Sequence, residues 1–152
     1  MNGVFAFYDR GVALVSGRVG ESIALLLLRV ALAGIFWRSG RTKVVEGSFL
    51  QIDPIQYDLF ASEFSRLPLD PAIAVPLTTY AEHVFPLLLL FGLATRLSAG
   101  GLLVMTLVIQ IFVFPDAWWP VHLLWAAMAA MLIVRGGGLF ALDAVAATLR
   151  RR

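Results

Sequence analysis

The sequence predicts an all-α integral membrane protein: a four-transmembrane-helix bundle with an amphipathic interfacial helix in its first loop. Three observations predict it. The chain is 60% hydrophobic and only 14% charged, with a mean hydropathy of +0.85, a balance too apolar for a soluble domain of this size. Four apolar stretches, about residues 19–40, 71–94, 97–114 and 118–135, each fall in the range of about 17–25 residues that crosses a bilayer as a helix. Between them stand prolines, glycines and charges of the kind that end helices and open loops. The whole chain, 1–152, reads as one membrane domain. It has no cysteine, which excludes disulfides, thiolate metal sites and a thiol relay carried by this chain alone. The net charge is +2 and the pI near 9.5, but the cations cluster at helix ends, where membrane orientation accounts for them. The lipid bilayer is therefore an expected partner and nucleic acid is not.

Residues 1–17 hold apolar runs broken by Asp9 and Arg10, too short for the core of a cleaved signal peptide. Phe5, Tyr8, Val12 and Val15 share a helical face, which predicts a short helix in the headgroup region. In the first span Arg29 falls near the midpoint. Ala33, Phe36, Gly40 and Lys43 lie within about 40° of it around the helix, a stripe whose small residues admit a close neighbour. Residues 44–70 form a long extramembrane loop carrying Glu46, Asp53, Asp58, Glu63 and Asp70. Within it Tyr57, Phe60, Phe64 and Leu67 recur at helical spacing, the interfacial helix, placed as a lid over the bundle.

The second span places Glu82 near its middle, next to His83, with Pro76 and Pro86 in the same helix and Thr78 and Thr79 one turn earlier. Pro86 cannot donate to the Glu82 carbonyl, so a bend and a free carbonyl are expected beside the carboxylate. Thr95 and Arg96 give a short turn into the third span, which opens on Ser98, Ala99, Gly100 and Gly101. Pro115, Asp116, Trp118, Trp119 and Pro120 form the next turn, and the fourth span stops at Gly136, Gly137 and Gly138. Asp143 and the basic tail Arg150, Arg151, Arg152 follow. Antiparallel spans put Arg10, Arg18, Arg96, Arg135 and that tail on one side, against Arg38, Arg41, Lys43 and Arg66 with most of the acids on the other. By the positive-inside rule both termini face the cytoplasm and loop 44–70 the opposite compartment.

Three groupings could carry chemistry. Arg29 and Glu82 sit at matched depth, and an unpaired carboxylate there costs at least about 3 kcal/mol, so the two are expected to meet. Such a pair either fixes helix register or presents a guanidinium fork to a quinone carbonyl or an oxyanion. Gln110 and His122 share a layer about 7 Å outward of the midplane, and His83 lies about 100° around its helix from Glu82. A histidine here could pass protons to a quinone or ligate haem iron or copper, which makes His83 and His122 candidate metal ligands. Alternatively His122 is solvated among Trp118, Trp119 and Trp125, and His83 bonds a backbone carbonyl. The aromatic side chains Phe36, Trp37, Phe85, Phe112, Phe114, Trp118, Trp119 and Trp125 serve as lipid anchors and core, or stack on a flat ligand. No paired histidines at four-residue spacing, phosphate loop or nucleophile elbow occurs, which counts against hydrolase and nucleotide chemistry.

Over residues 22–143 the chain resembles the DoxX family of small four-span bacterial membrane proteins. The matching features are Arg29, Phe36, Gly40 and Lys43; Glu82, Leu90, Gly92, Thr95 and Arg96; and Gly136 to Gly138 followed by Leu142 and Asp143. Gln110 to Pro115, with Trp119, Pro120, His122 and Trp125, is similar to the branch encoded beside clusters for metal-handling peptides. The resemblance implies a bacterial inner-membrane bundle, in some members a subunit of quinone-linked oxidoreductases with a donor such as thiosulfate. It also implies a polar intramembrane site at Arg29, Lys43, Glu82, Gln110 and His122, without naming a reaction or a catalytic residue. The leading expectation is a quinone-linked redox subunit with a ligand site drawn from those residues, His83 and Trp119. A copper- or haem-handling protein using His83 and His122 is an alternative. A non-catalytic scaffold for a co-encoded partner is another, and a homo-oligomer fits any of them.

Overall fold

A computed structural model describes residues 7–9, 11–13 and 16–150. Of the face expected for an N-terminal interfacial helix, Tyr8 and Val12 are helical and exposed. Phe5 and Val15 lie outside the described residues, as do Arg10, Arg151 and Arg152. The helices are α1 (Arg18–Arg41), α2 (Ile55–Ser62), α3 (Pro71–Phe91), α4 (Thr95–Phe112), α5 (Leu123–Arg135) and α6 (Leu142–Leu149). A 3₁₀ turn at Pro115–Ala117 and a π turn at Trp118–His122 lead into α5. α1, α3, α4 and the stretch Pro115–Arg135 are each long and apolar enough to cross a membrane.

Each span is apolar on its outside as well as its inside. Val19, Ile23, Leu27 and Val30 on α1 are exposed, as are Ile73, Leu77 and Val84 on α3 and Val104 and Ile111 on α4. Such stripes are stable only against lipid. The inward faces meet in a core of Leu25, Leu32, Phe36, Leu89, Ala99, Leu102, Ala129 and Leu132. Small residues set the spacing: a Cβ at Gly101 would lie 2.5 Å from the Phe85 ring, so only glycine lets α4 approach α3 there. Two buried hydroxyls are satisfied within their own helices, Thr79 donating to the Val75 carbonyl and Thr106 to that of Leu102, each at 2.8 Å.

The ends of α3 follow from its sequence. Asp70 caps the start by accepting from the Ala72 N–H at 2.8 Å, with Pro71 in the first helical position. At the other end Gly92 takes a left-handed conformation (φ +68°). Its N–H bonds the Leu89 carbonyl while that of Leu93 bonds Leu88, a Schellman stop that ends α3 three residues before the expected 94. Through Pro76 and Pro86 the helix is continuous.

The helix expected in the first loop is α2, but it stops at Ser62, so of its expected face Tyr57 and Phe60 are helical while Phe64 and Leu67 lie in the turns beyond it. Phe60 is buried against Ala74 and Val75 of α3, with Ile52, Phe64 and Leu67 around them. α2 therefore packs on the projecting start of α3, because α1 and α3 are staggered. Ser39, near the end of α1, bonds Glu82, while Arg29 bonds the carbonyls of Leu89 and Leu90 at the end of α3. At 1.5 Å per residue those two contacts are about 15 Å apart along α1. The equal depth expected for Arg29 and Glu82 does not hold, since it took both helices to be centred at one level.

Candidate functional site

The two deeply buried charges occupy separate places, each with its own partners. Arg29 is 1% exposed. Its Nε donates to Leu89 O at 2.7 Å, Nη2 to Leu90 O at 2.7 Å, and Nη1 to Gly137 O at 3.1 Å and Phe140 O at 3.2 Å. The guanidinium thus neutralises the negative end of α3 and ties it to the stretch after α5. Asp143 completes this knot. Its carboxylate accepts from the N–H groups of Ala94 and Thr95, each at 2.8 Å, and its own N–H donates to Gly92 O at 2.9 Å. Burial pushes the Asp143 carboxyl upward, but the Thr95 N–H, the nearby Thr95 hydroxyl, the Ala94 N–H and the Arg29 charge outweigh it and hold the group below the usual carboxylate range.

Glu82 finds a different cation. Lys43, in the turn that follows α1, donates to Glu82 Oε2 at 2.7 Å, and the Ser39 hydroxyl donates to Oε1 at 3.0 Å. Lys43 Nζ also reaches the Ser39 hydroxyl at 3.1 Å and the Ser39 carbonyl at 3.4 Å, so its three donors are used. The expected Arg29–Glu82 pair is therefore replaced by Lys43–Glu82. Lys43 belonged to the predicted stripe and Ser39 lies one turn before it, the signal by which the sequence could have shown this hydroxyl.

His83 stands beside this network, 1% exposed. Its Nδ1 lies 2.7 Å from the Thr79 carbonyl. A carbonyl can only accept, so Nδ1 carries the proton and Nε2 presents a lone pair in the neutral ring. That Nε2 is buried and has no partner among the described residues. Trp37 packs edge-on against the imidazole at 5.1 Å between centroids, and Phe49 at 6.2 Å. Phe49 is 60% exposed and sits on a turn held down by Arg41, whose guanidinium donates to the carbonyls of Ser48 and Phe49. No periodic pattern marked Phe49, since it belongs to an irregular loop. Gly40 makes the close approach possible, for a Cβ there would meet His83 Cε1 at 2.9 Å and Glu82 Cβ at 3.1 Å.

Gln110 and His122 form a second, distinct polar pair. His122 Nδ1 lies 2.7 Å from Gln110 Oε1, and Gln110 Nε2 donates to Pro115 O at 2.6 Å. The His122 ring packs on Trp125, which packs edge-on against Phe36. Phe36 and Trp37, about 100° apart around α1, thus lead to different histidines. Trp119 is 78% exposed and belongs to neither group. Among the described residues no cluster of three or more histidine, aspartate or glutamate side chains is arranged to hold a metal ion.

The profile of the DoxX family matches residues 24–115. A protein of Haemophilus influenzae strain Rd, named only as uncharacterized, is 30% identical over 141 residues, covering 82% of this chain and 84% of its own. No solved structure matches. The matched residues include Arg29, Lys43, Glu82, His83 and Gln110, so both buried charge centres fall within them, and the chain belongs to the DoxX family.

Proposed function

We propose that this protein is the membrane subunit of a quinone-linked redox system and binds a quinol or quinone against His83, under Trp37 and Phe49. The observation that carries the reading is the unpartnered, buried Nε2 of His83. A buried acceptor left without a donor costs about 1–3 kcal/mol, and a hydroxyl of a bound quinol would relieve that cost. Flat aromatic walls suit a flat ring, and Phe49 on its exposed turn is the group that would yield to admit it. Oxidation of a quinol releases two protons and two electrons: Nε2 takes the first proton, giving an imidazolium beside the Glu82 carboxylate, and the second leaves to the aqueous side past the exposed Phe49 turn. The charged ring then donates to the quinone carbonyl. The electrons go to a partner redox protein, since the chain has no cysteine with which to carry them.

Arg29, with four of its five N–H donors on backbone carbonyls, is a structural residue in this reading, and Lys43 and Ser39 hold Glu82 in place. His122 and Gln110 belong to a neighbouring polar layer. The excess of arginine at the end bearing Arg18, Arg96, Arg135 and Arg150 supports a cytoplasmic location for that end, which in this reading leaves the His83 site in the outward half of a bacterial inner membrane.

Protein purified in a mild detergent and extracted with organic solvent should release quinone at near-stoichiometric amounts. Titration with a short-chain quinol should quench Trp37 fluorescence, and His83→Leu should weaken binding about tenfold, the equivalent of one hydrogen bond. Absence of extractable quinone together with no saturable quench in the wild-type protein would overturn the proposal. A Soret band in the purified protein would instead favour haem.

A further inference from the structure

At the arginine-rich end of the bundle a cavity of about 700 Å³ opens between the start of α1, the start of α4 and the stretch Gly136–Ala147. That volume lies within the range of about 300–1,000 Å³ typical of small-molecule sites. Arg18, Arg96 and Arg135 line it together with Glu21 and Asp143. The two acids are already committed: Glu21 pairs with Arg135, and Asp143 is held by the N–H groups of Ala94 and Thr95. Arg18 and Arg96 have no side-chain partner among the described residues.

Two further features face the same space. The first four N–H groups of a helix have no acceptor within it. At α4 these belong to Ala94, Thr95, Arg96 and Leu97. Asp143 takes the first two and leaves those of Arg96 and Leu97 at the positive end of the helix. The Thr95 hydroxyl, on a fully buried residue that lines the cavity, makes no hydrogen bond of good geometry among the described residues, although the Asp143 carboxylate lies near it. Uncommitted guanidiniums, helix N–H groups and an orphan hydroxyl are all elements that accommodate one chemical group.

We propose that this cavity binds a phosphate-bearing anion. Arg18 and Arg96 clamp the phosphate oxygens, the N–H groups of Arg96 and Leu97 donate to it, and the Thr95 hydroxyl turns toward it. The ligand is either the headgroup of an anionic phospholipid or a free phosphate compound. Leu97, 71% exposed at the cavity rim, gives a lipid's acyl chain an apolar surface. The site is independent of the proposed role of His83.

The full-length protein in an uncharged detergent is titrated with phosphatidylglycerol, with phosphatidylcholine and with inorganic phosphate, following thermal stability and native mass. Stabilisation by phosphatidylglycerol alone identifies a lipid headgroup, and stabilisation by inorganic phosphate identifies a soluble source; either supports the site. The double variant Arg18→Gln/Arg96→Gln should bind at least tenfold more weakly. Both side chains are exposed, so folding should survive, and Thr95→Val, close to isosteric, should weaken binding several-fold as a second probe. Arg38→Gln, at the opposite end, should change nothing. The proposal is overturned if phosphatidylglycerol and phosphate act no differently from phosphatidylcholine. It is equally overturned if the double variant binds as the wild type does, or if Arg38→Gln weakens binding as much.

Discussion

Replacing Lys43 by methionine isolates the Glu82 ion pair, because the two side chains are similar in length and only the ammonium is lost. The pair is close, 2.7 Å between Nζ and Oε2, and side-chain exposure is 11% for Lys43 and 1% for Glu82. After the change Glu82 keeps one bond, from the Ser39 hydroxyl, in a site that water does not reach. Breaking a buried pair by removing one partner costs about 3–5 kcal/mol, most of it the burden of the charge left behind. Removing that charge as well, in Lys43→Met/Glu82→Met, should restore most of the loss, since apolar replacements of a buried pair are often neutral. Arg135 and Glu21 form the internal control. Their side chains are 50% and 33% exposed, and Arg135→Met should cost no more than about 1 kcal/mol. Unfolding free energies come from reversible denaturation in mixed micelles with increasing dodecyl sulfate. A Lys43→Met cost equal to that of Arg135→Met, or a double variant no more stable than the single, would refute the assignment of Lys43 as the counter-ion.

Three further outcomes follow from the same geometry. Arg29→Lys keeps a positive charge but offers three donors from one nitrogen where four are used across two chain segments, so about 2–4 kcal/mol should be lost, with faster proteolysis at Gly136–Phe140 as the readout. Asp143 has a folded pKa below its unfolded value, so its contribution is fully present above the unfolded value and fades as pH falls through the folded one; stability measured from pH 7 downward should decline, and less so in Asp143→Asn. Gly40→Ala places a Cβ 2.9 Å from the His83 ring and 3.1 Å from Glu82 Cβ, and should both lower the melting temperature and shift Trp37 emission.

The bundle was legible because its signals are local. Four apolar runs and the proline and glycine stops each report on one segment, and each span lies within a few residues of its expected place; the Phe60, Phe64, Leu67 spacing marked a buried cluster, although only Phe60 of the three is helical. The stripe from Arg29 through Phe36 and Gly40 to Lys43 also marked the buried face of α1. Stagger between helices is not local. Whether Glu82 meets Arg29 or Lys43 depends on how far α3 projects beyond α1, which is set by α2 packing on Ala74 and Val75 and by the Schellman stop at Gly92. Likewise, the carbonyls that hold Arg29 come from two segments, one of them more than a hundred residues away in the chain. Backbone acceptors have no residue code, so no pattern of side chains announces them.

Satisfaction of buried groups separates structure from function in this protein. Arg29 is bound by four carbonyls, Lys43 and Glu82 satisfy each other with Ser39, and Gln110 is shared between His122 and Pro115. A ligand placed on any of these would have to replace a bond already made, with little net gain. Among the described residues the buried side-chain atoms without partners are His83 Nε2 and Thr95 Oγ1. There a ligand adds a bond where none exists, so differential binding energy is largest at those two atoms. They lie toward opposite ends of the bundle, one between aromatic rings and one beside arginines, surroundings that match the proposed quinol at the first and the proposed anion at the second.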